Sequence, residues 1–289
     1  MRQKLIAIYR AFKGDTAGNI AVLPLHGPIM AGKRGRQGIN LENTEKLIAK
    51  AFSLPSLKAV ALTINSPGGS PVQSALIMQR IRDLAVKKDV PVIAFTEDVA
   101  ASGGYMIALA GDEIIAHPAS LVGSIGVLYA GFGFQNAIRK LGIERRLHTA
   151  GKNKSFLDPF IPEKKADLER LKTLQKDLHK YFVALVKERR GKRLKGSQAK
   201  VFSGDVWTAE EAKKLGIIDG IGEMRSVLRE RFGADVRILR ISPPRPPFAS
   251  LFGMRRTGRD GAEADLSLFS ADDVLSAIEA RMMWNRWGL

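Results

Sequence analysis

The chain has 289 residues, of which 45% are hydrophobic and 26% are charged, a balance typical of a folded globular protein. It contains no cysteine, which excludes disulfides, thiolate zinc sites and a cysteine nucleophile. The formal net charge is +17, and residues 151–200 alone hold 15 Lys or Arg against 6 Asp or Glu. No zinc-finger, RNP or helix-turn-helix signature accompanies this charge, so we expect no nucleic-acid partner. Two interpretations of the basic surface stay open, a solvated helix face and peripheral contact with an anionic membrane.

The first fifteen residues, MRQKLIAIYRAFKGD, are interrupted by Arg10 and Lys13. They lack the run of about 7–15 apolar residues that marks a secretory signal. No stretch reaches the roughly 18 apolar residues of a membrane-spanning helix. We therefore expect a cytoplasmic protein, whose membrane contact would be peripheral and on the inner face.

Short apolar runs alternate with amphipathic segments up to residue 150. The predicted strands are Asn19–Leu25, Ala59–Ile64, Val90–Phe95, Glu113–His117 and Arg145–Thr149. Helical periodicity covers Leu41–Ala51 and Val72–Leu84, and a third helix is predicted to begin near Ser102. Strands that alternate with helices predict an α/β fold with a largely parallel sheet.

A long helix is predicted from Pro162 to Arg190, because leucines and a phenylalanine recur there at steps of three and four. Thr208–Leu215 predicts a short helix with a Thr208–Glu211 capping box. A proline-rich linker, PPRPP at 243–247, then precedes a predicted amphipathic helix over Ser270–Trp287. We thus divide the chain into a basic N-terminal segment (1–16), a main domain (17–240), and a proline-rich linker with a C-terminal amphipathic helix (241–289).

Two glycine-bearing segments follow predicted strands. In INSPGG, Gly68 and Gly69 leave N–H groups that can face a developing negative charge, although a plain tight turn is the other interpretation. In AASGGYMIA, Ser102 stands just before a helical run, where a serine usually serves as an N-cap. Its small neighbours would admit a substrate carbonyl, and the N–H of Gly103 would lie beside a nucleophilic hydroxyl.

A serine nucleophile needs a base. None of the four histidines, His26, His117, His148 and His179, has a local setting that indicates a triad. A lysine whose pKa is lowered by burial can serve instead. The segment AGKNKSFLDPF offers Lys152 and Lys154, and the residues themselves do not choose between them.

The motifs INSPGG, AASGGYMIA, VGSIGV, AGKNKSFLDPF and GDVWTAEEAKKLGIIDGIG occur in this order. Their order and spacing resemble those of the signal peptide peptidase A family over residues 17–235. The resemblance implies that Ser102 is the nucleophile, that Lys154 is the base and that Ser124 orients the lysine. It also implies an oxyanion hole formed by the N–H of Gly103 and that of Gly68 or Gly69.

The resemblance further implies a Clp-protease/crotonase-like fold of ββα units, in which a long helix follows the core and packs between the subunits of a homo-oligomeric ring. The C-terminal tail has no place in the family pattern. We expect a serine endopeptidase that cleaves apolar peptides, such as cleaved signal peptides or unfolded and membrane-derived segments, without a metal or organic cofactor. A crotonase-like acyl-CoA enzyme and a non-catalytic ring scaffold are the competing interpretations.

Overall fold

The computed structural model describes residues 18–31, 38–242, 278 and 281–288. The predicted segment 1–16 and the proline-rich run at 243–247 lie outside these residues. Of the predicted C-terminal helix, residue 278 and residues 281–285 are described as helical.

The described elements alternate between strands and helices, as the sequence predicted. In chain order they are β1 (Asn19–His26), α1 (Leu41–Ala51), β2 (Leu57–Ser66), α2 (Pro71–Lys88), β3 (Val92–Ala101), α3 (Gly103–Ala108), β4 (Glu113–Ala116), β5 (Leu121–Gly123), α4 (Gln135–Lys140), α5 (Lys165–Arg190), a 3-10 turn (Gly191–Arg193), α6 (Gln198–Val201), β6 (Val206–Thr208), α7 (Ala209–Leu215), β7 (Gly220–Ile221), α8 (Met224–Phe232) and β8 (Arg237–Arg240).

All these strands join one sheet with the order β6-β5-β3-β2-β1-β8, and β4 lies between β3 and β7. Among the described strands, β5 and β6 form an antiparallel pair and the other pairs are parallel. The predicted α/β fold with a largely parallel sheet is therefore confirmed. Because β1, β2 and β3 are parallel neighbours, their carboxyl ends share one edge, and Ser66 lies opposite Ala100. This register brings the turn after β2 beside the residue after β3.

The sheet is covered on both faces. Residues 59–62 of β2 are fully buried, as expected for a central strand between two layers. Leu62 and Ile64 pack with Ile77 of α2 on one face, whereas Ala61 and Phe95 pack with Leu228 of α8 on the other. Apolar burial on both sides fixes the strand ends that carry the site described below.

The predicted strand Arg145–Thr149 is wrong. Residues 143–149 form no regular structure, and every residue from 141 to 154 is exposed. Strand backbone needs a hydrogen-bonding neighbour, and none lies beside this segment in the described part of the chain. An alternation of apolar and charged residues does not reveal whether such a neighbour exists.

The long helix is confirmed as α5, and only its C-terminal half packs on the chain. Phe182, Leu185 and Val186 are buried, whereas Leu174 and Leu178 on the same stripe are about half exposed. The predicted capping box is wrong, since the Thr208 side chain makes no cap bond and Glu211 pairs with Lys200 at 2.5 Å.

Candidate active site

The turn after β2 requires glycine at both of its glycine positions. Gly68 and Gly69 have φ values of 102° and 138°, which favour glycine over residues with a side chain. The N–H of Ile29 donates to the Gly68 carbonyl at 2.8 Å, and the N–H of Ser70 donates to the Ile29 carbonyl at 2.8 Å. A Cβ on Gly69 would lie 2.0 Å from the Ile29 oxygen. This close approach holds the turn against the segment after β1.

Ser102 joins β3 to α3 in a strained conformation. Its φ of 52° and ψ of −119° lie in a region that residues with a side chain rarely adopt. Its N–H donates to the Gly123 carbonyl at 2.8 Å, and its carbonyl accepts from the N–H of Met106 at 2.9 Å. Although Ser102 stands at the N-cap position, its side chain caps no N–H group. The N-cap role therefore does not explain this serine, and its sharp strand-to-helix turn is the arrangement that exposes a nucleophile.

The glycines of the two turns meet beside Ser102. A Cβ on Gly68 would lie 2.8 Å from the Ser102 Cβ and 3.0 Å from the Gly103 nitrogen. A Cβ on Gly103 would lie 3.3 Å from the Gly69 nitrogen. The N–H of Gly68 donates to Ser66 Oγ at 3.2 Å, whereas those of Gly69 and Gly103 have no acceptor among the described residues. Geometry thus favours Gly69 over Gly68 as the partner of Gly103 in an oxyanion hole.

Ser124 lies at the same site. It follows β5, the neighbour of β3 on the side away from β2, and its φ is also 52°. Its N–H donates to the Asp205 carbonyl at 2.6 Å, and the residue is nearly buried. Ser102 and Ser124 line the same cavity, and a role of Ser124 in orienting the lysine stays a prediction.

A cavity of about 660 Å³ opens over these residues. It is lined by Gly69, Ser102, Gly103 and Ser124 together with apolar side chains of α3, α5 and the segments after β5 and α6, among them Met106, Val127, Leu178, Phe182 and Phe202. An extended apolar peptide segment would have apolar surface to contact there while its backbone approached Ser102.

Lys154 is not brought to Ser102. It lies in the exposed segment between α4 and α5, and its N–H donates to the Gly151 carbonyl at 3.1 Å. Lys154 is absent from the residues that line the cavity. Within one copy of the described chain, Ser102 and Lys154 therefore do not lie at the same site, and Lys154 is exposed to solvent.

His179 was missed as a residue of the site. It lines the cavity from α5, and its Nε2 lies 3.2 Å from the Ile125 carbonyl, next to Ser124. If Nε2 carries the proton of that hydrogen bond, Nδ1 is left as an acceptor. The one sequence signal was its place three residues before Phe182 on the helical stripe. His26, by contrast, contacts Thr63 Oγ1 at 3.0 Å and Glu97 at 3.2 Å.

A buried polar network connects two helices of the site, α3 and α5, to the segment before β7. The Tyr105 hydroxyl of α3 donates to the Ile217 carbonyl at 2.7 Å, and burial raises the pKa of Tyr105. Arg190, at the end of α5, donates to Asp219 at 2.7 Å. Burial acts to raise the pKa of Asp219, but hydrogen bonds from Arg190 and the Ile114 N–H outweigh it and hold that pKa below its ordinary value. These bonds tie α3 and α5, which both line the cavity, to the edge of the sheet.

The chain is similar to a known peptidase family and to several proteins of known sequence. The model of peptidase family S49 matches residues 85–233. A protein named Na(+)/H(+) antiporter NhaA from Brucella abortus (strain 2308) is 50% identical over 272 residues, which are 93% of this chain and 37% of that protein. Protease 4 from Salmonella typhi is 33% identical over 212 residues, which are 72% of this chain and 33% of that protein. The chain thus spans about a third of the length of either relative.

Among solved structures, a 1510-N membrane-bound stomatin-specific protease aligns with a TM-score of 0.48 and 18% identity, over 78% of this chain and 99% of that one. None of the described helices is both long enough and apolar enough to span a bilayer. The family match covers more than half of the chain and includes the Ser102 turn, Ser124 and Lys154. The resemblance to the signal peptide peptidase A family is confirmed, and the chain belongs to peptidase family S49.

Proposed function

We propose that this protein is a serine endopeptidase in which Ser102 is the nucleophile and Lys154 is the general base. The observation that carries the proposal is the strained Ser102, which lines a cavity beside two N–H groups, those of Gly69 and Gly103, without an acceptor. The apolar lining supports substrates with apolar residues, such as cleaved signal peptides or unfolded and membrane-derived segments.

The reaction is an acyl transfer in two steps. The neutral lysine accepts the Ser102 proton while Oγ attacks the scissile carbonyl, and the N–H groups of Gly69 and Gly103 stabilise the oxyanion. The lysine then protonates the leaving amine, which departs, and water hydrolyses the acyl-enzyme with the lysine again as base. Ser124 accepts or donates a hydrogen bond that orients the lysine.

Lys154 needs a second copy of the chain to act in this way. A general base must lie within hydrogen-bond reach of the hydroxyl that it deprotonates, and within one copy Lys154 lies outside the lining of the Ser102 cavity. The surrounding segment exposes large apolar side chains that a soluble monomer seldom presents together, namely Leu128, Tyr129, Phe132, Phe134, Leu141, Ile143 and Leu147. Packing this segment on a neighbouring copy would bury Lys154 near that copy's Ser102. This arrangement supports the expected homo-oligomeric ring.

Two competing functions have distinct requirements. A crotonase-like acyl-CoA enzyme would use a carboxylate as its catalyst, and no Asp or Glu of the described chain lines the Ser102 cavity. A non-catalytic ring scaffold would keep its assembly without using the Ser102 hydroxyl. Membership of a peptidase family favours hydrolysis over both.

The test is the cleavage of an apolar fluorogenic peptide and of unfolded casein by the wild type, Ser102→Ala and Lys154→Met. Lys152→Met is the matched control, because Lys152 is an equally exposed lysine two residues away on the same turn. We expect the first two variants to lose at least about 10³-fold in kcat/KM. Lys152→Met should stay near the wild type. If Lys154→Met keeps its activity while His179→Ala loses it, the base is the histidine and the proposed dyad is wrong.

Mixing the two inactive variants tests the contribution of a second copy. Chains of Ser102→Ala carry the lysine, and chains of Lys154→Met carry the serine. If serine and lysine come from different copies, a 1:1 mixed assembly regains activity in about a quarter of its sites. A mixture that co-assembles and remains inactive would show that the dyad forms within one chain.

A further inference from the structure

The Ser102 cavity has a cationic side as well as an apolar one. Lys172 and Lys176 of α5 line it, together with Arg286 from the C-terminal residues 281–288. Since the described lining contains no carboxylate, nothing within the cavity neutralises these charges. A purely apolar substrate would supply no anionic group to this side of the cavity.

The two lysines lie one helical turn apart, so their like charges repel each other. Lys172 pairs with Glu169 at 3.1 Å, outside the cavity lining. Lys176 forms no ion pair with any described residue. Lys180, the next lysine along α5, pairs with Asp177 at 3.4 Å and does not line the cavity. Among the described residues, Lys176 is thus a cation at the cavity without an ion-pair partner.

We propose that Lys172 and Lys176 bind a carboxylate of the substrate while the apolar lining holds its neighbouring residues. The inference rests on the peptidase function proposed above and names the substrate class of the same cavity. Peptides that combine an apolar segment with a carboxylate would be preferred. The carboxylate could be the C-terminus of a released peptide or an acidic side chain, since both present the same group to a lysine.

The experiment compares three peptides that share one apolar sequence. One ends in a free carboxylate, one ends in an amide, and one ends in an amide but carries Glu in place of a Gln near its C-terminus. Their kcat/KM values are measured with the wild type, the double variant Lys172→Met/Lys176→Met, and Lys180→Met as the matched control. Comparing the first peptide with the second measures the preference for a terminal carboxylate. Comparing the third with the second measures the preference for an acidic side chain.

We expect the wild type to prefer at least one anionic peptide over the neutral one by about 3–30-fold, the range of one or two partly exposed ion pairs. The preference should fall to less than about twofold in the double variant and persist in Lys180→Met. It should also shrink as ionic strength rises, because the lysines are in contact with solvent. Equal rates for all three peptides, or a preference that survives in the double variant, would overturn the proposal.

Binding to Ser102→Ala separates this inference from the proposed reaction. That variant keeps both lysines, so fluorescence anisotropy with labelled peptides reports the carboxylate preference without turnover. If no peptide is cleaved by the wild type but anionic peptides still bind more tightly, the catalytic proposal fails and the binding proposal stands. If all three peptides are cleaved and bound equally, only the carboxylate site is wrong.

Discussion

Replacing Ser102 by glycine and by alanine tests whether its backbone conformation is strained. A residue with a side chain at φ 52° and ψ −119° carries a strain of about 1–3 kcal/mol, which glycine would relieve. Glycine in turn loses about 0.5–1 kcal/mol more conformational free energy on folding than alanine does. Ser102→Gly should therefore be more stable than Ser102→Ala by about 1 kcal/mol, the difference between the middles of these two ranges. Ser102→Ala should stay close to the wild type, because the side chain caps no N–H group.

Urea unfolding and thermal melting of the wild type and both variants, at one protein concentration, measure this difference. A change of 1 kcal/mol corresponds to about 2–4 °C in the melting temperature for a domain of this size. Both variants should also be inactive, so that a gain in stability accompanies a loss of activity. Ser102→Gly melting at or below Ser102→Ala would refute the claim that the site stores backbone strain.

Three further predictions concern the residues around the site. Tyr105→Phe removes the hydroxyl that donates to the Ile217 carbonyl at 2.7 Å and should lower the free energy of unfolding by about 1–2 kcal/mol in urea titrations; an unchanged midpoint would contradict the bond. Because the pKa of Asp219 is lowered in the folded state, its stabilising contribution is present above its unfolded value, near 3.8, and lost as the pH falls towards the folded value. Asp219→Asn should thus be less stable than the wild type at pH 6, and urea midpoints should converge below about pH 4; a constant gap down to pH 2 would contradict this. Ser124→Ala should lower kcat/KM by about 10–100-fold with little change in melting temperature, whereas equal activity would exclude a role in orienting the base.

Local pattern was enough to predict the strands β1 to β4 and the long helix α5, and it made Ser102 a candidate nucleophile. Buried strands such as β2 appear as apolar runs between turn residues, and α5 appears as an apolar stripe, because each signal lies within one element. Ser102 was also a local inference, since small neighbours surround it just before a helix. The structure adds what the pattern could not show, namely that the Ser102 side chain caps no N–H group.

The rest depended on contacts between distant parts of the chain. Arg145–Thr149 has a strand-like pattern but no neighbouring strand among the described residues. A local pattern does not show whether a second strand lies beside it to form the hydrogen bonds. His179 reaches the site only because α5 crosses over the turn at Ile125, 54 residues earlier. Lys154 was named by family resemblance alone, and in the described chain it is exposed and absent from the lining of the Ser102 cavity.

The most direct test of the central claim is to trap the acyl-enzyme. An activated ester of an apolar peptide is mixed with the protein, and the reaction is quenched within the first turnovers. The protein is then digested for mass spectrometry. We expect one acyl adduct, on the peptide that contains Ser102, and none in Ser102→Ala. An adduct on another residue, or ester turnover by Ser102→Ala at the wild-type rate, would contradict it.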